Sequence, residues 1–245
     1  VSVVDEYLKA WPLYWINLDR SEDRARAMME TVTPMFATAT RVHAVDGTTE
    51  VLDSEAIDFV DEWRRMWASR SERLTAANKP PGENPRLQTQ KSNVAIKRSH
   101  QRALSFGIDQ GLAGFFVAED DIVPRSTLAD VPLPPGDAEV AIWSGGLPMA
   151  SVRTDDDVFA AGRPHTWVRI EGKDCFNCLG AGLYQVTRAA AQHLLGVTSC
   201  HPMSWDHSWG FALQGLVTYR LRPNAFAQAG ESVRNGKVRK PVVVR

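Results

Sequence analysis

The chain has 245 residues, 44% of them hydrophobic and 23% charged, with a formal net charge of −1. That length and composition suit a globular protein with one large core, or a core with a small appendage, and exclude a disordered chain. No apolar run approaches the roughly 20 residues needed to cross a bilayer, and a near-neutral charge by itself calls for no polyanionic partner.

The opening "VSVVDEYLKAWPLYWINLDR" lacks the basic head and small-residue cleavage site of a signal peptide. The expectation is a cytosolic protein, or a fragment whose leader has been removed. Within it, "WPLYWINL" predicts a strand, followed by a helix through "DRSEDRARAMMETV" that Ser21 is placed to cap. "ATRVHAV" predicts a second strand, and "DGTTE" the turn that ends it. "DSEAIDFVDEWRRMW" sets Ile57, Val60, Trp63 and Trp67 at helical spacing, with Arg64 and Arg65 turned to the other side. The Pro-, Asn- and Gly-rich "AANKPPGENPRLQTQKS" predicts a long loop, so residues 53–92 form an insertion. A helix through "NVAIKRSHQRALSFGIDQ" follows, with Val94, Ile96, Ala103, Leu104 and Ile108 as its apolar face.

Strands are then predicted at "GFFVAEDD", "AEVAIWSGG", "GAGLYQVT" and "VTYRLRP", with helices at "RAAAQHLLG" and "SWDHSWGFALQG". This alternation points to a single-domain α/β layer fold over residues 1–245 with a largely parallel sheet. The three cysteines are an odd, sparse set, expected to be buried structural thiols rather than a disulfide framework. Cys175 and Cys178 form a C-x-x-C, and Cys200 sits beside His201, which leaves a zinc site joined by His207 as the weaker alternative. Residues 61–102 hold ten Lys or Arg against four Asp or Glu, and the last fourteen residues hold five basic side chains and no acidic one. Such patches suit phosphates, although a solvated basic face is the commoner use.

The most informative stretch is "GLAGFFVAEDDIVP", where five uncharged residues from Gly114 to Ala118 precede Glu119, Asp120 and Asp121. On a strand, Phe115, Val117, Glu119 and Asp121 share one face while Asp120 takes the other. Glu119 and Asp121 then aim at one point, just beyond the carboxyl ends of the strands, where open α/β sheets bind ligands. Hard carboxylate oxygens suit Mn²⁺ or Mg²⁺, ions that keep positions for water and substrate phosphates. The chemistry suggested is one that holds or expels a diphosphate; a solvated acidic turn is the plain alternative. Asn17, Arg20 and Arg24 follow the first strand, where a helix N-terminus and guanidinium groups favour a diphosphate or nucleotide. For the arginines, surface pairing with Glu22, Asp23 or Glu30 is the competing use.

Several blocks, in order, resemble glycosyltransferase family 25, the group that includes bacterial lipooligosaccharide galactosyltransferases and collagen galactosyltransferases. They are "YWINLDRSEDRARAM", "RVHAVDG", "RSH" at 98–100, "VAEDD", "GAGLYQVTRAAAQHLL" and "FAQAGESVRNG", and they span about residues 12–236. The chain departs from the family before Ser99, where a Gly-Cys pair is usual and Ala95 and Ile96 stand here, and across residues 53–92. The resemblance implies a GT-A type nucleotide-sugar transferase fold that moves a hexose, with inversion, from a UDP-sugar to an acceptor hydroxyl on a glycan. It further implies Mn²⁺ or Mg²⁺ on Asp121, with Glu119 on the metal or the ribose, and Asp206 as general base unless that residue only caps its helix. Asp46, Gly47, Ser99, His100 and Asp120 would line the donor pocket, and Gln228 and Ser232 would close over it. Two alternatives stand beside this expectation. One is a DNA glycosyltransferase of viral type acting on hydroxymethylated bases, with Arg64 and Arg65 contacting the acceptor. The other is a non-catalytic binding protein of the same fold.

Overall fold

The structure, a computed structural model, describes residues 2–58, 61, 85–124, 128–145, 164–171, 175, 181–200, 204–222 and 224–228. Its frame is a seven-stranded sheet in the order β2-β1-β3-β7-β5-β8-β6. The strands are β1 (Pro12–Asn17), β2 (Thr38–His43), β3 (Gly114–Glu119), β5 (Val140–Gly145), β6 (Thr166–Ile170), β7 (Ala181–Thr187) and β8 (Thr218–Arg222). Two short strands, β4 (Ile122–Pro124) and β9 (Phe226–Gln228), pair antiparallel beside it.

The expected α/β layering is present, but the sheet is mixed. β1 pairs parallel with β2 and β3, and β5 with β8, whereas β7 runs antiparallel to both β3 and β5, and β6 to β8. Alternating strands and helices imply a parallel sheet only when each helix is a direct crossover between neighbours. Here β7 inserts between β3 and β5 and reverses direction.

Central strands are buried on both faces, as their continuous apolar runs require. Alternate side chains divide between two cores. Tyr14, Ile16, Phe115, Val117, Tyr184 and Val186 face α3 (Pro85–Asp109), α4 (Arg188–Cys200) and α5 (Trp205–Ala212). Leu13, Trp15, Phe116, Ala118 and Leu183 face α1 (Val3–Lys9) and α2 (Glu22–Thr31) on the other side. Gly107 sets the fit of α3 on β3, because a Cβ there would lie 2.5 Å from the Phe115 ring.

Several local expectations are corrected. α3 begins at Pro85 rather than near residue 93, so the tail of the predicted loop is helical. Proline loses nothing at the first helical position, since the first N–H groups have no intrahelical acceptor. Ile57 and Ile96 are 41% and 45% exposed, so neither belongs to the apolar face assigned to it. Residues 53–58 are helical, as predicted; Val60, Trp63 and Trp67 lie outside the described residues. Ser21 occupies the N-cap of α2, yet its side chain makes no capping bond. Cys175 is buried but Cys200, at the end of α4, is exposed rather than a buried thiol, and Cys178 lies outside the described residues. Two elements were not anticipated: helix α1, whose Ser2 and Asp5 form a capping box, and the mostly exposed edge strand β6, of which only Ile170 is buried. Among the described residues no helix is long and apolar enough to cross a membrane.

Candidate active site

Parallel β1, β2 and β3 end at the same edge of the sheet, and their following turns enclose one cleft. The sequence of each strand switches there from apolar to polar: Ile16 to Asn17, Val42 to His43, Ala118 to Glu119. The cleft is lined by Asn17 at the end of β1 with Arg20 and Arg24 beyond it, by Asp46 and Gly47 after β2, by Glu119 at the end of β3 with Asp120 and Asp121 beyond it, and by Ser99 and His100 of α3. These are ten of the residues proposed from the sequence, drawn from four separate segments.

Their contacts show which of these side chains act as anchors. Asp120 is an anchor: its Oδ2 accepts from Asn17 Nδ2 at 2.6 Å, and its Oδ1 pairs with Arg24 at 3.1 Å. Asn17 Nδ2 also donates to the Ser21 carbonyl, so one amide ties the end of β1 to the start of α2 and to Asp120. Arg20 pairs with Asp46 across the cleft. Both arginines thus pair across the cleft, with Asp46 and Asp120, rather than with Glu22, Asp23 or Glu30, the competing use. Asp46 Oδ1 accepts from the Thr48 N–H and hydroxyl, which shapes the turn after β2. Gly47 lets that turn press on α3, since a Cβ would lie 3.0 Å from the Lys91 carbonyl. Ser99 accepts from the Val45 N–H at 2.8 Å and donates to the Ala95 carbonyl at 2.7 Å, so its hydroxyl fastens α3 to the same turn.

Asp121 is different. The Asp121 Oδ1 is buried and, among the described residues, accepts no hydrogen bond. Burial first, then the charges of Glu119 and Asp120, push the Asp121 carboxyl up to about 7, with Arg24 opposing the rise. A buried carboxylate repelled by its neighbours and carrying an orphaned oxygen fits a divalent cation. Among the described residues no group of three or more His, Cys, Asp or Glu side chains encloses a metal position. Mn²⁺ or Mg²⁺ held by Asp121 and Glu119 would thus take its remaining ligands from water and phosphate, the usual arrangement for Mg²⁺.

The raised Asp121 pKa makes a prediction about the metal-free protein. Folding holds a proton on Asp121 that the unfolded chain releases near pH 4, so its stabilising contribution is complete below that pH and is lost as pH rises through about 7. The melting temperature of the chelator-treated protein should fall between pH 5 and pH 8 relative to that of Asp121→Asn, which cannot titrate. Parallel pH profiles for the two proteins would show that Asp121 is not perturbed.

Other proposed residues are placed differently. Asp206 is the second residue of α5, immediately after Trp205, whose ring stacks on His100 with centroids 4.4 Å apart. Gln228 ends β9, paired with Ile122 next to Asp121. Ser232, Arg64 and Arg65 lie outside the described residues, and with them the basic track of the DNA alternative. Gln88, Ser92 and Ile96 also line the cleft and were not anticipated as site residues. Their spacing with Ser99 and His100, four residues and then three or four, puts them on one helical face, a signal present in the sequence but hidden by the loop-like composition before it.

Fold and cleft define the class: an α/β protein with an acidic, arginine-flanked cleft at the carboxyl edge of its parallel strands. No protein-family model matches the chain, and no curated protein shows a significant match to it.

Proposed function

We propose that the chain is a metal-dependent inverting glycosyltransferase of GT-A type, moving a hexose from a nucleotide-sugar, expected to be a UDP-sugar, to an acceptor hydroxyl on a glycan. The observation that carries this reading is the convergence of Glu119 and Asp121 with Arg20, Arg24 and Asn17 in one cleft beyond the ends of β1, β2 and β3. Carboxylates alone would suit a cation and arginines alone an anion; a metal-bound diphosphate needs both.

Within this reading Arg20 and Arg24, at the start of α2, face the diphosphate, where the helix N-terminus adds favourable charge. Asp120 holds Arg24 and Asn17 in place rather than contacting the metal. Asp121 and Glu119 hold the cation, which when bound neutralises charge on the departing diphosphate. Asp206 accepts the acceptor proton at its carboxylate as the hydroxyl oxygen bonds to the anomeric carbon from the face opposite the leaving diphosphate. The transition state has the oxocarbenium character of glycoside hydrolysis.

A screen of nucleotide-sugars against mixed glycan acceptors, followed by mass spectrometry with and without Mn²⁺, tests the reading. Release of a nucleoside diphosphate from at least one donor, abolished by chelator, is expected. Absence of both turnover and donor binding in the presence of Mn²⁺ would favour the non-catalytic binding protein.

A further inference from the structure

His100 forms part of the inner wall of the acidic cleft, almost wholly buried and tied to the carboxylates beside it. It is 1% exposed and belongs to α3, yet it touches three other elements. Its Nδ1 lies 3.1 Å from the Tyr184 hydroxyl on β7, and its Nε2 lies 3.2 Å from Glu119 Oε1 at the end of β3. Its ring is stacked on Trp205 of α5, at 4.4 Å and 4° from parallel. Tyr184 is fully buried, and burial followed by the charge of Glu119 pushes its pKa well above the ordinary value, so it keeps its proton.

With Glu119 ionised and the ring neutral, these partners set the direction of each hydrogen bond. An ionised carboxylate can only accept, so Nε2 carries the proton and donates to Glu119. In the neutral ring Nδ1 is then the acceptor, and it receives the Tyr184 O–H. The chain Tyr184 to His100 to Glu119 thus satisfies both ring nitrogens and holds one oxygen of Glu119, while Trp205 prevents the ring from turning.

We propose that His100 is a positioning residue, which aims the Glu119 carboxylate at the point it shares with Asp121 and does not itself touch donor or acceptor. The role rests on the metal reading for its consequence but not for its geometry. It also connects the two sides of the reaction, because the side chain that clamps the ring, Trp205, precedes Asp206 on α5. Outer hydrogen-bond partners of metal-binding groups commonly govern affinity by 10- to 100-fold.

Two substitutions separate positioning from packing. Both His100→Gln and His100→Asn remove the stacked ring, but the Gln amide reaches as far as Nε2 and can still donate to Glu119, whereas the Asn amide stops at the level of Nδ1 and reaches only Tyr184. Titration of the full chain with Mn²⁺ alone, followed by electron paramagnetic resonance, should show near wild-type affinity for His100→Gln and a loss of about 10- to 100-fold for His100→Asn. Crystal structures of both metal-free variants should show Glu119 retained in place only with Gln. Equal Mn²⁺ affinities together with an unmoved Glu119 in both variants would overturn the proposal. If the wild-type protein binds no Mn²⁺, the metal reading fails, and the position of Glu119 in the two crystal structures still decides whether His100 sets it.

Discussion

Replacing Asp121 with Asn is expected to lower turnover by at least about 10²-fold while leaving the fold intact, a loss at or above that seen on removing an outer partner of a metal ligand. Asn keeps the shape of the side chain but offers a neutral oxygen, a poor ligand for a hard dication. Two observations make the loss selective. The Asp121 Oδ1 has no hydrogen-bond partner among the described residues, so the substitution breaks no contact there. Its charge is also disfavoured by burial and by Glu119 and Asp120, so neutralising it relieves repulsion above pH 7. Steady-state kinetics at saturating Mn²⁺, with thermal melts of the metal-free protein, check both halves. Full turnover in excess chelator, or in Asp121→Asn, would remove the metal from the mechanism.

For Asp206→Asn the expected pattern is the complement: donor binding nearly unchanged, and turnover lower by about 10²-fold or more, the scale of general-base loss. Asp206 belongs to α5, a segment separate from Arg20 and Arg24, which precede and open α2 and are the residues proposed to hold the diphosphate. Calorimetric donor affinity and single-turnover rates separate the two effects. A turnover number equal to wild type would reassign the residue to the first turn of its helix, where an aspartate is favourable in any case.

Much of the layering was legible because it depends on local periodicity. "PLYWIN", "GFFVAE" and "VAIWSG" are short apolar runs bounded by polar turns, and each is a buried strand. The direction of β7 was not legible, because nothing within "AGLYQVT" specifies which neighbours it will have. The start of α3 was obscured by a Pro-rich composition that resembles a loop, although proline at the first helical position is compatible with either. Exposure of Ile57 and Ile96 shows the same limit: helical spacing names a face, and packing decides whether anything covers it.

The candidate site divides along the same line. The sequence by itself determined that three adjacent carboxylates end an apolar strand, and that arginines and an asparagine follow another; strand termini at one sheet edge then bring them near each other. Only the tertiary structure decided their separate parts. Asp120 became an anchor because Asn17 and Arg24, some hundred residues earlier, reach both its oxygens. The Asp121 Oδ1 was left buried and, among the described residues, without a hydrogen-bond partner, and Glu119 was taken up by His100 with Tyr184 and Trp205 behind it. The physical reason is that a carboxylate's charge state and orientation are set by burial and by partners distant in the chain, and both exist only once the sheet and its flanking helices have closed around it.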